Sequence, residues 1–451
     1  MALPLHAWSA TQLAHAFARR ELTASTLAAA LIERCAERDH DLRAWACFDA
    51  AAARRRALLI DRHATAGGPL RGLLHGLPVA VKDNLDTAGI RTEYGSPIYA
   101  GQVPAADAAC VALARAAGAW VLGKTVCTEF ANMVPAATKN PHSAAHSPGG
   151  SSSGSAAAVA AGLVPLALGT QTAGSVIRPA AYCGVIGYKP SPRRIPRAGA
   201  KVNSDTLDEI GLFARSVGDV ALFAAALGAV VDAGVDLGVD DKRPAAPSRK
   251  PNIAMTLTSR QAALSPVMVA TVAGAATRLS AAGAVVADAA WPSTFHGLFD
   301  AQRIVQQFET ARALAPELAH RRAMLSATLA AFLDEGQRID SAVYAQALQL
   351  ARQALGSVES LFGDADVLIT PAALGAAPVL ALASTGDPLM CRPWQLLGCP
   401  CISLPAALDS DGLPLGVQLV ARPGDDQRLL AAAAWIARTL DSERITHASL
   451  N

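Results

Sequence analysis

Apolar positions recur at helical spacing through the first sixty residues. Ser9 and Gln12 have the S-x-x-Q form of a capping box ahead of such a run. Further helices are predicted over about residues 23–39 and 49–63, and Gly67, Gly68 and Pro69 then break the pattern. Residues 77–81 are an unbroken apolar stretch, read as a buried strand that ends at Lys82, Asp83 and Asn84. Asp107 is placed to cap a helix ending near Gly118, and residues 119–123 supply the next strand. A helix of small residues is expected at 155–162, a strand at 164–169, then a turn and a strand at 184–188. Residues 219–231 read as helix, and 265–355 as mainly helical and alanine-rich. Short apolar runs at 366–370, 402–404 and 417–420 read as strands, and 427–440 as a terminal helix.

Strand, helix, strand in succession is the pattern of an α/β protein. It predicts a large mixed, mostly parallel sheet with helices on both faces. The polar, proline-rich stretch 240–251 reads as a surface loop and the best place for a seam between subdomains. No internal repeat and no clean linker divides the chain, so one large domain is expected.

Of the 451 residues, 52% are hydrophobic and 17% charged, with a net charge of +2. This composition argues against intrinsic disorder, and there is no basic excess to track a phosphate backbone. The longest run without Asp, Glu, Lys, Arg or His covers residues 147–177. That is long enough to span a bilayer, but it opens with a Gly/Ser cluster and contains Pro165, Gln171 and Gly174, which argues for tight packing instead. A second uncharged run, 367–386, is broken by Pro371, Gly375 and Pro378. Neither suits a membrane helix. The N-terminus lacks a basic region followed by an apolar one, so no secretory signal is read there. The eight cysteines are scattered and the histidines form no metal motif, so reduced thiols, no metal and no cofactor are expected, in the cytoplasm.

Three places carry candidate chemistry. Lys82 ends an apolar strand. Residues 149–155 (GGSSSGS) open a helix. Residues 169–175 (GTQTAGS) form a turn after a strand. Taken singly, each has a bland reading: a solvated lysine, a flexible linker, an ordinary turn. A linker does not belong inside the longest charge-free stretch, however, and the Gly-Lys-Ser/Thr of a Walker loop is missing. What is left is a set of hydroxyls and backbone N–H groups, the makings of a nucleophile and an oxyanion hole. His142 and His146 lie nearby in sequence, but nothing pairs either with an acid or sets it on a rigid element.

The segment PGGSSSGSAAAVAAGLVPLALGTQTAGSVIRPAAYCGVIGYKPS (148–191) resembles the signature of the amidase signature family of serine hydrolases. GLPVAVKDN (76–84), GKTVCTEFA (123–131), LDEIGLFARSV (207–217) and GLPLGVQLVARPGDD (412–426) resemble further blocks of that family, in its order. The match is faintest over residues 228–360. On this resemblance, residues 1–451 form one amidase domain. Its parts would be N-terminal helices (1–70), a catalytic signature core (71–227), a helical elaboration (228–360) and a C-terminal completion of the sheet (361–451).

The resemblance implies a Ser–cis-Ser–Lys triad, with Ser175 as nucleophile, Ser151 as bridge on a cis peptide and Lys82 as base. The oxyanion hole maps to the backbone N–H groups of Thr172, Ala173, Gly174 and Ser175. Ser152, Ser153 and Ser155 would cap the helix or hold hydrogen bonds. Bringing a lysine from about 10.4 to about 7 corresponds to ~4.6 kcal/mol, which burial away from charge supplies. The chain departs from the family's usual Asp-Thr-Gly-Gly-Ser by carrying Gln171 and Ala173, and Ala173 is tolerable where its φ is negative. Both changes suit a stand-alone bacterial amidase, cleaving amides or carbamates with water, as a monomer or homodimer without nucleic acid or membrane. The alternatives are the glutamine-hydrolysing component of a tRNA-dependent amidotransferase and an inactive binding scaffold. Ala131 and Met133 follow a block that approaches the site and are candidate substrate contacts. Arg193, Arg194, Arg197 and Lys201 lie in a loop that would either meet an anionic substrate or sit in solvent.

Overall fold

A computed structural model describes residues 3–231 and 250–448. Its centre is one mixed sheet: β1 (Trp45–Phe48), β2 (Pro78–Lys82), β3 (Trp120–Thr125), β4 (Leu166–Gln171), β5 (Ile186–Lys189), β6 (Glu209–Ala214), β7 (Asn252–Met255), β8 (Val285–Asp288), β9 (Val367–Pro371), β10 (Cys401–Leu408) and β11 (Pro414–Val420). The strand order is β1-β3-β2-β4-β6-β5-β10-β11-β9-β7-β8. The α/β class and the large mixed sheet are as expected. The excess of parallel pairing is not. Among the described residues β3-β2-β4 and β9-β7-β8 are parallel, while β1-β3 and every pairing from β4 through β6, β5, β10 and β11 to β9 are antiparallel. The cause lies in the connections. β2 reaches β3 through a helix, as parallel neighbours must, whereas β10 and β11 are a hairpin closed by a turn at Asp409 and Gly412. An apolar strand reads the same in either direction, so its own residues do not report which pairing it makes.

Helices surround this sheet. α1 (Ala10–Ala18) starts at Ser9 in a complete capping box with Gln12. α2 (Ala24–Leu42) and α3 (Ala50–Thr65) start at Thr23 and Asp49, whose side chains accept backbone N–H groups of the first turn. α4 (Ala109–Ala116) is capped by no side chain. Asp107 instead accepts from the Ala88 N–H and pairs with Arg115, tying two loops together rather than starting the helix.

α5 (Ser153–Ala160) and α6 (Ile177–Cys183) are wholly buried, and every residue from Ser147 to Ser191 is buried with them. The charge-free run is therefore the packed middle of the molecule. Small side chains let α5 press onto its neighbours. A Cβ on Gly154 would lie 2.3 Å from the Ala44 carbonyl oxygen and 2.5 Å from the Val126 nitrogen.

α6 stands where the sequence predicts a turn. It is seven residues long with Pro179 inside it, too short and too apolar to show a helical stripe. β6 escapes a sequence reading for a related reason, because it is buried end to end and shows no alternation. α7 (Val217–Ala226) follows β6. α8 (Pro266–Ala281) leads to β8, which interrupts the stretch expected to be helical. α9 (Leu298–Ala313) then runs towards the site. The loop expected at 240–251 lies almost entirely outside the described residues.

Candidate active site

β2 delivers Lys82 to the interior, where its side chain is 0% exposed. Its Nζ donates to Ser151 Oγ and Thr170 Oγ1, each at 2.8 Å, and Asn84 Nδ2 donates to the same threonine oxygen at 2.9 Å. No carboxylate lies within ion-pair reach of Lys82 among the described residues. Burial lowers its ammonium to about 7, against the opposing fields of Cys127 and Asp208. Lys124, on the adjacent strand, is equally buried but sits 3.6 Å from Asp83 and donates to the Leu85 carbonyl and Thr92. Of these two neighbouring buried lysines, Lys124 is neutralised by a carboxylate and Lys82 meets only hydroxyls.

Ser151 follows a cis Gly150–Ser151 peptide at the mouth of α5. The turn is held from both sides. Ser153 Oγ donates to the Gly149 carbonyl at 2.7 Å, and Arg178 Nη2 donates to the Gly150 carbonyl at 2.6 Å. Ser152 and Ser155 donate to the carbonyls of Thr170 and Leu168. These three serines thus hold hydrogen bonds, and none of them provides a side-chain cap for α5.

Residues 172–176 connect β4 to α6 and carry Ser175, which is 9% exposed on the wall of a cleft of about 410 Å³. Among the described residues, the backbone N–H groups of Thr172, Ala173, Gly174 and Ser175 donate to no protein acceptor. Gln171 organises the turn: its Oε1 accepts from the N–H of Val176 at 2.9 Å and of Ile177 at 3.1 Å, and its Nε2 donates to Gln395 at 2.9 Å. Thr172 Oγ1 donates to Asp208 at 2.6 Å, and Gln302 of α9 donates to the Thr172 carbonyl at 3.1 Å. Burial pushes the Asp208 carboxyl up, while its hydrogen bonds from Thr172, Asn203 and Ser204 pull it down. Ala173 stays out of the left-handed region, so its Cβ is accommodated.

Ala131 and Met133 line the same cleft, and Met133 is 48% exposed. The chain reaches them through two successive residues in the left-handed region, Phe130 (φ 44°) and Ala131 (φ 55°). That conformation is costly without glycine. It is held by the Phe130 N–H on the Tyr94 carbonyl, and by Asn132 and Asn203 side chains on the Phe130 carbonyl.

The structure therefore gathers Ala131, Met133, Ala173, Gly174 and Ser175 on one cleft, and joins Lys82 to Ser151, neither of which lines it. It leaves other candidates outside. His142 contacts the Cys183 carbonyl and His146 contacts Ser143. Arg193, Arg194, Arg197 and Lys201 meet protein groups, with Lys201 on Glu317, and none lines the cleft. A larger cavity of about 710 Å³, beside Tyr94, Lys201, Glu309 and Tyr344, is lined by none of Lys82, Ser151 and Ser175. The eight cysteines are free thiols. No helix among the described residues is long and apolar enough to cross a membrane. Thr170, Asn84, Gln395 and Arg178 join the site from the structure alone. Only Arg178 leaves a sequence signal, as the isolated charge that ends the charge-free run.

Comparison with known proteins places the chain in a family. The amidase family profile matches residues 26–430. A glutamyl-tRNA(Gln) amidotransferase subunit from Moorella thermoacetica is 32% identical over 493 residues, covering 98% of each chain. A relative from Mycobacterium tuberculosis that bears an amidase name, AmiB2, is 36% identical over 448 residues, covering 92% of each. The solved peptide amidase from Stenotrophomonas maltophilia superposes with a TM-score of 0.80 at 29% identity, covering 96% of each chain. Sequence blocks, sheet and buried Lys–Ser pair converge on one conclusion: this chain belongs to the amidase signature family of serine hydrolases.

Proposed function

We propose that the chain hydrolyses the C–N bond of small amides or carbamates through an acyl-enzyme on Ser175. The observation that carries this reading is a lysine sealed from water and carboxylates, brought to about 7, and bonded at 2.8 Å to Ser151. Such a lysine is neutral in much of the population at neutral pH and can take a proton. Ser175 Oγ attacks the carbonyl carbon while its proton passes through Ser151 to Lys82 Nζ. The N–H groups of residues 172–175 donate to the developing oxyanion. The intermediate collapses with cleavage of the C–N bond, and the proton returns through Ser151 to the leaving amine. Water then attacks the acyl-enzyme, using the same base, and releases the acid and Ser175.

The test is the purified chain, without partners, against chromogenic anilides and carbamates, with a fluorophosphonate as active-site label. Turnover and Ser175 labelling, both lost in Ser175→Ala, are expected. Absence of both would sink the reading and leave a binding scaffold. A second reading rests on the 32% identity to the amidotransferase component from Moorella thermoacetica. It has the chain hydrolyse glutamine for a partner, and predicts glutaminase activity that appears only when that partner is added.

A further inference from the structure

α9 brings two glutamines, Gln302 and Gln306, to the site one helical turn apart and so on one face. Gln302 is 0% exposed, while Gln306 is half-buried and lines the cleft that holds Ser175. Gln302 Nε2 donates to the Thr172 carbonyl and to Gln306 Oε1, each at 3.1 Å, and its own Oε1 is buried without a partner among the described residues. The direction of this chain of bonds is fixed at one end. A backbone carbonyl can only accept, so Gln302 must turn its NH2 group towards Thr172. The second N–H of that group then needs an acceptor, and Gln306 answers with its oxygen. The NH2 group of Gln306 is left over, on a side chain of the cleft, with no protein partner among the described residues.

The other end of the chain reaches the turn before Ser175. The Thr172 carbonyl and the Ala173 N–H belong to one planar peptide and point in opposite directions. Holding the carbonyl on α9 therefore aims the Ala173 N–H, which donates to no protein acceptor and belongs to a residue lining the cleft. Hydrogen bonds in a chain polarise one another, so a group that accepts from Gln306 strengthens the bond at Thr172. The free end of Gln306 is uncharged and offers only donors, so it matches a neutral oxygen acceptor such as a carbonyl. Both glutamines lie in the 228–360 stretch, where the family resemblance is faintest, so the signature blocks do not specify them.

We propose that Gln306 is a specificity-determining residue that donates to a second carbonyl oxygen of the substrate, and that Gln302 is a positioning residue that fixes the 172–173 peptide. Together they favour diamides and other substrates that carry a carbonyl besides the scissile one. This rests on the serine-hydrolase reading for its chemistry.

The experiment follows the labelling of Ser175 in the full-length chain by alkyl fluorophosphonates, separating reversible binding (KI) from the covalent step (kinact). One reagent has an all-methylene arm, and in the others one methylene is replaced in turn by a carbonyl. At least one carbonyl reagent is expected to have a KI about three- to tenfold lower than the all-methylene one, the worth of a neutral hydrogen bond. Gln306→Glu can still accept from Gln302 but has no N–H to give, and should abolish that preference. Gln302→Leu should lower kinact about tenfold or more with every reagent, with little change in KI for the all-methylene one. Labelling without a carbonyl preference overturns the role of Gln306, as does a preference that survives Gln306→Glu and so belongs to another donor of the cleft. An unchanged kinact in Gln302→Leu, or a loss confined to KI, overturns the role of Gln302. Gln302→Met replaces Gln302→Leu if the latter fails to fold, and the half-buried Gln306 decides its own arm in either case. No labelling of the unmodified chain is a different failure: it sinks the hydrolase reading itself, and this proposal with it.

Discussion

On the proposed mechanism, Lys82 concentrates the conflict between stability and chemistry in one side chain. Its environment supplies hydroxyls and withholds carboxylates, so the neutral amine is favoured and the ammonium penalised. kcat/KM should accordingly rise with pH through about 7, following loss of the Lys82 proton. A pH–rate profile flat between 5 and 9 would contradict this. Lys82→Ala should lower the rate of Ser175 acylation by fluorophosphonate about 10²–10⁴-fold, the usual worth of a general base. The same shift bears on folding. An unfolded lysine titrates near 10.4 and the folded one near 7, so between these values the unfolded chain binds more protons and stability rises with pH. Below 7 the burial penalty is full, and above 10.4 it is gone. Lys82→Met should therefore be inactive yet at least as stable as the parent at pH 7, with the parent gaining on it as pH rises. Denaturant titrations at pH 7 and pH 9 check both signs.

At the level of elements, the site is made where strands stop and helices start. β2 ends on Lys82 and β4 ends on Thr170 and Gln171, while α5 and α6 begin just after Ser151 and Ser175. Gln171 does for α6 what a capping residue does, accepting two N–H groups of its first turn without bringing charge near Lys82. Gln171→Ala leaves those donors and the Gln395 side-chain oxygen unmet. A loss of about 1–3 kcal/mol is expected by denaturant unfolding, together with lower kcat from a loosened 172–175 turn. An unchanged kcat would detach Gln171 from the proposed oxyanion turn. Gly154→Ala tests the packing of α5. Its Cβ meets backbone rather than a movable side chain, so about 1–3 kcal/mol of overpacking is expected in the same assay.

Across the whole molecule, distant parts of the chain converge on α5. Arg215, at the end of β6 and buried, donates to the carbonyls of His6 and Trp8 in the N-terminal segment and of Val159 and Val164 around α5. The N-terminal residues are thus bonded to the helix that presents Ser151. Arg215→Met should reduce unfolding free energy by at least about 2 kcal/mol, since several carbonyls lose a charged donor at once. It should also raise hydrogen exchange in α1 and α5 together. Faster exchange in α1 alone would show that the two are not coupled.

Much of this protein is legible in its sequence, where the signal is local. The capped starts of α1, α2 and α3, the buried strands β2, β3, β4 and β9, and the charge-free core are set by spacing and side-chain type. The resemblance of residues 76–84 and 148–191 to a known signature supplies Lys82, Ser151 and Ser175. The tertiary structure decides the rest. Strand direction depends on connections, which buried apolar strands do not encode. β6 and α6 are buried on all sides and show no periodicity. The distinction between Lys82 and Lys124 is whether a carboxylate stands within reach, and Asp83 reaches Lys124 only because β2 and β3 lie side by side. The bonds of the Arg178 guanidinium to the Gly150 carbonyl and Thr385 are likewise invisible in the sequence, because partnership between side chains is a property of three-dimensional packing.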